Sequence, residues 1–123
     1  FNAKPVTTRA CEGIGEAWLY ATSPHMFKDA DFPDFERLRK ASWRTVYGAE
    51  CMAYGLLTNG YVDMVCEGTM ELYDFAPMIP IIEGAGGVIT DWQGRALGAN
   101  SDGNVIASGD KRIHAAALEL LRG

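Results

Sequence analysis

The chain has 123 residues, 48% of them hydrophobic and 22% charged, with a net charge of −5. These totals describe an ordinary soluble globular domain, large enough for a single core. An acidic chain without a basic stripe argues against nucleic acid as a partner. No apolar run approaches the roughly 20 residues of a helical membrane span, so no membrane role is expected.

The first residues, Phe1-Asn2-Ala3-Lys4-Pro5-Val6, read as the second half of a hairpin with Asn2-Ala3 as its turn. A strand with no partner before it suggests that the chain is a fragment. Glu16–Thr22 reads as a buried strand, stopped at Ser23-Pro24 because proline cannot continue a ladder. Asp31–Ala41 is expected to be helical, with Asp31 as cap, Pro33 in the first turn, and Phe35 and Leu38 on one face. Trp43–Tyr47 is a short strand, and Gly48 breaks it. Ala49–Thr58 follows as a helix that stops at Asn59-Gly60, and Tyr61–Cys66 is the next strand.

The stretch from Glu67 to Trp92 carries the chemistry. Asp74 opens an apolar helical segment that closes at Gly84-Ala85-Gly86-Gly87, and Val88–Thr90 follows as a strand. Pro77 suits a first turn, whereas Pro80 within one continuous helix would leave a carbonyl unpaired and kink it. Two turns, Asp91–Gly94 and Asn100–Asn104, lead to a final strand, Val105–Ser108. Asp110 can cap the last helix, whose apolar positions Ile113, Ala116, Ala117, Leu120 and Leu121 keep the 3.6-residue period. Alternating strands and helices predict an α/β fold, a layered sheet with helices on its faces.

Cys11, Cys51 and Cys66 are odd in number and set in apolar context, which predicts buried, reduced thiols in a cytoplasmic protein. His25 and His114 lie far apart with no cysteine or histidine at ligand spacing, which argues against zinc.

Tyr73-Asp74 followed by Glu83-Gly84-Ala85-Gly86-Gly87 and an apolar strand resembles the C-terminal signature of the inositol monophosphatase-like family of metal-dependent phosphatases. Tyr73 stands where tryptophan is usual, and Gly84 is inserted before Ala-Gly-Gly. Both departures are closer to the histidinol-phosphate phosphatase branch. So is Tyr47-Gly48-Ala49-Glu50-Cys51, since that branch commonly carries Tyr-Gly-Gly-Asp-Cys. The family's other motif, Asp-Pro-x-Asp-Gly-Thr/Ser, is absent. The nearest string, Asp31-Phe32-Pro33-Asp34-Phe35, has the wrong spacing and no phosphate-cradling glycine. Residues 1–123 therefore resemble the C-terminal half of the fold, with the first metal site absent and weak or no activity expected from this half alone.

The resemblance implies a Mg2+ ligand at Asp74, the catalytic position nearest the leaving alcohol oxygen. It implies substrate contacts at Glu67, Glu50, Gly48 and Ala49, with Ser23 as a further hydroxyl. Each has a plainer alternative: an N-cap for Asp74, a solvated strand end for Glu67, a favourable helix-dipole charge for Glu50. The implied function is hydrolysis of a small phosphate monoester, histidinol phosphate first and inositol phosphate or a related sugar phosphate second. A non-catalytic binding or assembly module is the reading from another class. Open sheet edges would favour a homo-oligomer.

Overall fold

The computed structural model describes residues 5–48 and 51–122. The elements in chain order are β1 (Trp18–Ala21), α1 (Phe32–Ala41), β2 (Arg44–Tyr47), α2 (Met52–Thr58), β3 (Met64–Glu67), α3 (Leu72–Phe75), α4 (Met78–Gly84), β4 (Val88–Asp91), β5 (Val105–Ser108) and α5 (Lys111–Arg122). Short 3-10 turns precede and follow β1, at Ile14–Glu16 and Pro24–Met26.

The five strands form one mixed sheet in the order β2-β1-β3-β5-β4. β1 runs parallel to both β2 and β3, while β5 is antiparallel to β3 and β4. Strand alternation sends side chains to two separate cores. Leu19, Met64, Cys66 and Ile106 face α1 and α5, packing with Phe35, Leu38, Ile113 and Leu121. Val65, Val105 and Ala107 face α2, α3 and α4, packing with Tyr54, Leu57, Phe75 and Ile82. The central strands β3 and β5 are buried at every position. The result is the layered α/β architecture expected from the sequence.

Several boundaries differ from expectation, each for a local reason. Of the supposed opening hairpin, residues 1–4 lie outside the described residues, and Pro5 and Val6 carry no ladder. The chain beyond them is pinned instead by Thr8, whose N–H donates to the Ala85 carbonyl at 3.1 Å and whose hydroxyl donates to Gly109 O at 2.8 Å. Asp31 makes no cap; its carboxylate accepts from Asn104 Nδ2 at 3.0 Å, tying α1 to the loop before β5. Tyr61 is not in β3, because its N–H turns back to the Leu56 carbonyl at 2.9 Å to close α2.

The helix expected after Asp74 is two helices. The break falls at Ala76-Pro77, so Pro80 lies in the first turn of α4. N–H groups there have no intrahelical partner in any helix, so the proline costs no ladder bond and no kink is needed. Gly86, at φ +95°, closes α4 in the left-handed conformation.

Asp110 does cap α5. Its carboxylate accepts from Arg112 N–H and from Cys11 N–H, both at 2.9 Å, and the Arg112 guanidinium beside it holds its pKa far below the usual carboxylate range. His114 is buried on the inner face of α5 between Ser108 Oγ, 2.8 Å from Nδ1, and Thr90 Oγ1, 2.9 Å from Nε2. Both hydroxyls can serve either neutral tautomer.

Burial lowers the His114 pKa from 6.5 to about 4, so the unfolded chain takes up this proton first as pH falls. Stability is therefore complete above about pH 6.5 and is lost progressively toward pH 4, by about 3 kcal/mol from this group. Urea denaturation between pH 7.5 and 4.5 should show that slope, and His114→Gln should flatten it.

Gly103 sits at φ +91°, and a Cβ there would meet the Met70 carbonyl oxygen at 2.7 Å. Gly103→Ala is expected to cost about 2 kcal/mol or more, read as a lower urea midpoint with an unchanged m-value.

Candidate functional site

The order of strands and the sides their connections take create a crevice. β1 leads to α1 on one face of the sheet, while its parallel neighbour β3 leads to α3 and α4 on the other. Where neighbouring connections part in this way, a ligand site opens beyond the carboxyl ends of the strands. A cleft of about 250 Å³ lies there, lined among others by Thr22, Cys51, Tyr54, Glu67, Thr69 and Asp74. A wider groove of about 610 Å³ follows the β2 edge, where both arginines are engaged by neighbouring side chains. Arg39 is bound through two 2.7 Å contacts to Glu36, and the Arg44 guanidinium lies over the Trp18 and Trp43 rings.

Glu67 forms the floor of the cleft. It is the last residue of β3 and only 3% exposed. Its Oε2 accepts a hydrogen bond from the Thr22 hydroxyl. Burial pushes its carboxyl pKa above the usual range, the Thr22 and Tyr54 hydroxyls draw it back, and Asp74 pushes it up again. Tyr54 is 1% exposed on α2, with its hydroxyl 3.8 Å from Met70 Sδ. Burial, followed by the nearby Glu67 charge, raises its phenol pKa well above the ordinary value.

Asp74 stands at the mouth of the cleft, exposed, in the first turn of α3. It is not the N-cap; Glu71 is, and Asp74 Oδ2 accepts from the Glu71 N–H at 3.0 Å. This bond fixes the direction of the side chain through one oxygen. The segment between the two acids is held rigidly. Thr69 has φ 58°, a left-handed conformation that a β-branched residue rarely adopts. It is secured by a 2.6 Å bond from its hydroxyl to the Met26 carbonyl and by the 3.0 Å bond from Met70 N–H to Gly103 O. Gly68 fits because a Cβ there would strike Phe27 at 2.8 Å.

The structure thus brings Glu67 and Asp74 into one cleft. Ser23 is committed elsewhere: its hydroxyl oxygen accepts from His25 N–H at 3.1 Å and starts a 3-10 turn. Gly48 makes the expected left-handed turn at φ +91°, but its N–H donates to Thr22 O at 2.9 Å and is not free for a ligand. Ala49 and Glu50 lie outside the described residues. The neighbouring Cys51 is exposed and lines the cleft, contrary to the expectation of three buried thiols, because it stands just before α2 begins.

Sequence reasoning missed Thr22 and Tyr54. For Thr22 the signal was strand parity. Trp18 and Tyr20 pack on the α2 side, Tyr20 is in register with Val65, and two residues on Thr22 meets Glu67. Tyr54 has no such local signal, since its spacing reads as core.

No described residue lining the cleft is a cation. Among the described residues no three histidines, cysteines or acids gather as a metal cage. A hard cation such as Mg2+ needs only one or two protein carboxylates, and an exposed, oriented Asp74 suits that demand.

The sequence matches the Inositol monophosphatase family over residues 2–123. It is 42% identical to the Bifunctional phosphatase IMPL2, chloroplastic, of Arabidopsis thaliana, over 98% of this chain and 37% of that protein. Among solved structures, an inositol monophosphatase from Zymomonas mobilis superposes with a TM-score of 0.93 at 41% identity, over 96% of this chain and 47% of that one. An inositol monophosphatase from Anabaena shares the fold, with a TM-score of 0.83 at 18% identity, over 98% of this chain and 49% of that one. The chain spans less than half the length of each of these relatives. A match over nearly every residue, with the same fold beneath it, establishes that this chain belongs to the inositol monophosphatase family.

Proposed function

We propose that this chain is the C-terminal half of a metal-dependent phosphate monoester hydrolase and supplies the part of the site that receives the alcohol. The observation that carries this reading is the single cleft holding a buried Glu67 at its floor and an oriented Asp74 at its mouth. Bound Mg2+ would supply charge neutralisation on the phosphate and a water made nucleophilic at neutral pH. Asp74 would offer one carboxylate oxygen to the cation, with its direction set by the Glu71 N–H. Glu67 would accept hydrogen bonds from donors on the alcohol half of the ester. With no described cation in the cleft, the phosphate must be met by metal and by residues outside this chain.

For the substrate, two candidates are weighed. Histidinol phosphate is supported by Glu50 in the string Tyr47-Gly48-Ala49-Glu50-Cys51, since a carboxylate suits an ammonium through a charge-assisted bond. Inositol phosphate, or a related sugar phosphate, is supported by the 41% identity to the Zymomonas protein, titled an inositol monophosphatase. A cytoplasmic location and self-association through the open β2 and β4 edges belong to the same proposal.

The test is phosphate release by the full-length reading frame and by this chain, with each substrate, with and without Mg2+. The full-length protein should work only with the metal, and this chain should be inactive alone. Turnover by the short chain would overturn the half-site reading. Asp74→Asn, which keeps an oxygen to accept from Glu71, should lower kcat/KM at least about 100-fold without changing the melting temperature. Glu50→Ala should raise KM for histidinol phosphate about tenfold or more and leave inositol phosphate nearly unaffected. Equal losses on both substrates would remove histidinol phosphate from consideration.

A further inference from the structure

We propose that the Thr69 hydroxyl is a strap across the cleft: by holding the Met26 carbonyl it keeps residues 68–70 on a strained path that aims the Asp74 carboxylate at the mouth. Thr69 is thus a positioning residue. Its effect on catalysis rests on the reading of Asp74 as the carboxylate offered to the cation.

The two ends of the strap come from the connections that part at the crevice. Met26 ends the 3-10 turn that follows β1, and Thr69 lies in the link from β3 to α3. Both line the cleft, together with Thr22 and Asp74. The bond from Thr69 Oγ1 to the Met26 carbonyl is 2.6 Å long and joins residues 43 apart in sequence. Among the described residues Thr69 is the one residue other than glycine at positive φ, 58°. A β-branched side chain is strained there, whereas glycine or asparagine would sit at little cost. A threonine in this conformation needs a compensating contact, and its hydroxyl supplies one. The strain and the net gain of one hydrogen bond are of the same order, so the strap decides whether the conformation holds.

The neighbouring residues pass this conformation on to the acid. Met70 N–H reaches the Gly103 carbonyl at 3.0 Å. The place a Cβ would take at Gly68 is already filled by Phe27, at 2.8 Å, and by Asn104 Oδ1, at 3.1 Å. Residues 68–70 are therefore gripped by Met26-Phe27 and by Gly103-Asn104. The next N–H, that of Glu71, is the one that donates to Asp74 Oδ2 at 3.0 Å. A turn of Thr69 to negative φ would rotate the peptides that follow and carry the Glu71 N–H off the Asp74 carboxylate. Glu67 would stay, because β3 is paired on both sides, with β1 and β5. The strap therefore sets the position of one acid relative to the other.

The experiment compares crystal structures of the full-length protein, wild type, Thr69→Val and Thr69→Ser, with the Mg2+ dependence of turnover by each. Valine keeps the branched shape and loses the hydroxyl. In that variant residue 69 should move to negative φ and the Asp74 carboxylate should leave the Glu71 N–H. The Mg2+ concentration for half-maximal rate should rise about tenfold or more, the range seen when a group that orients a metal ligand is lost. Thr69→Ser, which keeps the hydroxyl, should restore the wild-type geometry and midpoint. Residues 69–74 in the same place in wild type and Thr69→Val overturn the proposal, whatever the activity, and so does a serine variant as disturbed as the valine one. Displacement of Asp74 with an unchanged Mg2+ midpoint in an active enzyme upholds the strap and overturns the reading of Asp74 as the cation's carboxylate. If the valine variant does not fold, Thr69→Gly removes the hydroxyl without adding strain. Its Met70 and Glu71 amides should exchange hydrogen faster than in wild type, and unchanged exchange counts against the strap.

Discussion

The parallel pairing of β1 with β3 is the constraint on which the rest depends. Leu19 lies opposite Met64 and Tyr20 opposite Val65, and this register carries Thr22 to the side of Glu67. Moving β3 by one residue would turn Glu67 into the core beneath α1 and α5, where Met64 and Cys66 lie, and moving β1 by one would carry Thr22 away from it. The same pairing sends the two following connections to opposite faces, so the crevice and its buried acid arise from one set of ladder bonds. The apolar side chains on both faces hold the register, because a slip would expose one set and bury polar atoms in the other.

Much of this was legible in the sequence. The last helix showed itself by its period and by Asp110, and the final strand by its bounding turns. Glu67 and Asp74 could be singled out only through their resemblance to a family motif; composition does not distinguish them from the chain's other acids. The split of the central helix was not legible. Two prolines three residues apart suggested a kink, whereas two short helices let both sit where an N–H has no partner. Thr22 was hidden because its neighbour Ser23 looked equally suitable, and parity decides between them only once the facing strand is known. Tyr54 was hidden because a tyrosine at a core position shows nothing of where its hydroxyl points.

The charge of the cleft explains how such a site divides its work. A phosphate ester brings negative charge to a place already occupied by two acids. Coulomb repulsion at short range would exclude it unless cations stand between. Under the proposed function, Asp74, exposed at the mouth, would hold such a cation, while Glu67 is buried and tied to the Thr22 hydroxyl. On that reading, one acid would serve metal and solvent and the other an uncharged or cationic alcohol.

The central placement of β5 has a consequence for the order in which the molecule can be made. β5 is inserted between β3 and β4 although it follows both in the chain. Until residues 105–108 leave the ribosome, β3 has an open edge and Met70 lacks the Gly103 carbonyl that fixes its loop. The acids of the cleft are synthesised before β5, but their geometry is completed only once β5 and Gly103 are in place. A nascent or truncated chain ending before Val105 would present an unpaired apolar strand to its neighbours, which is the condition for aggregation. Quality control in the cell would meet this protein as a late-closing sheet.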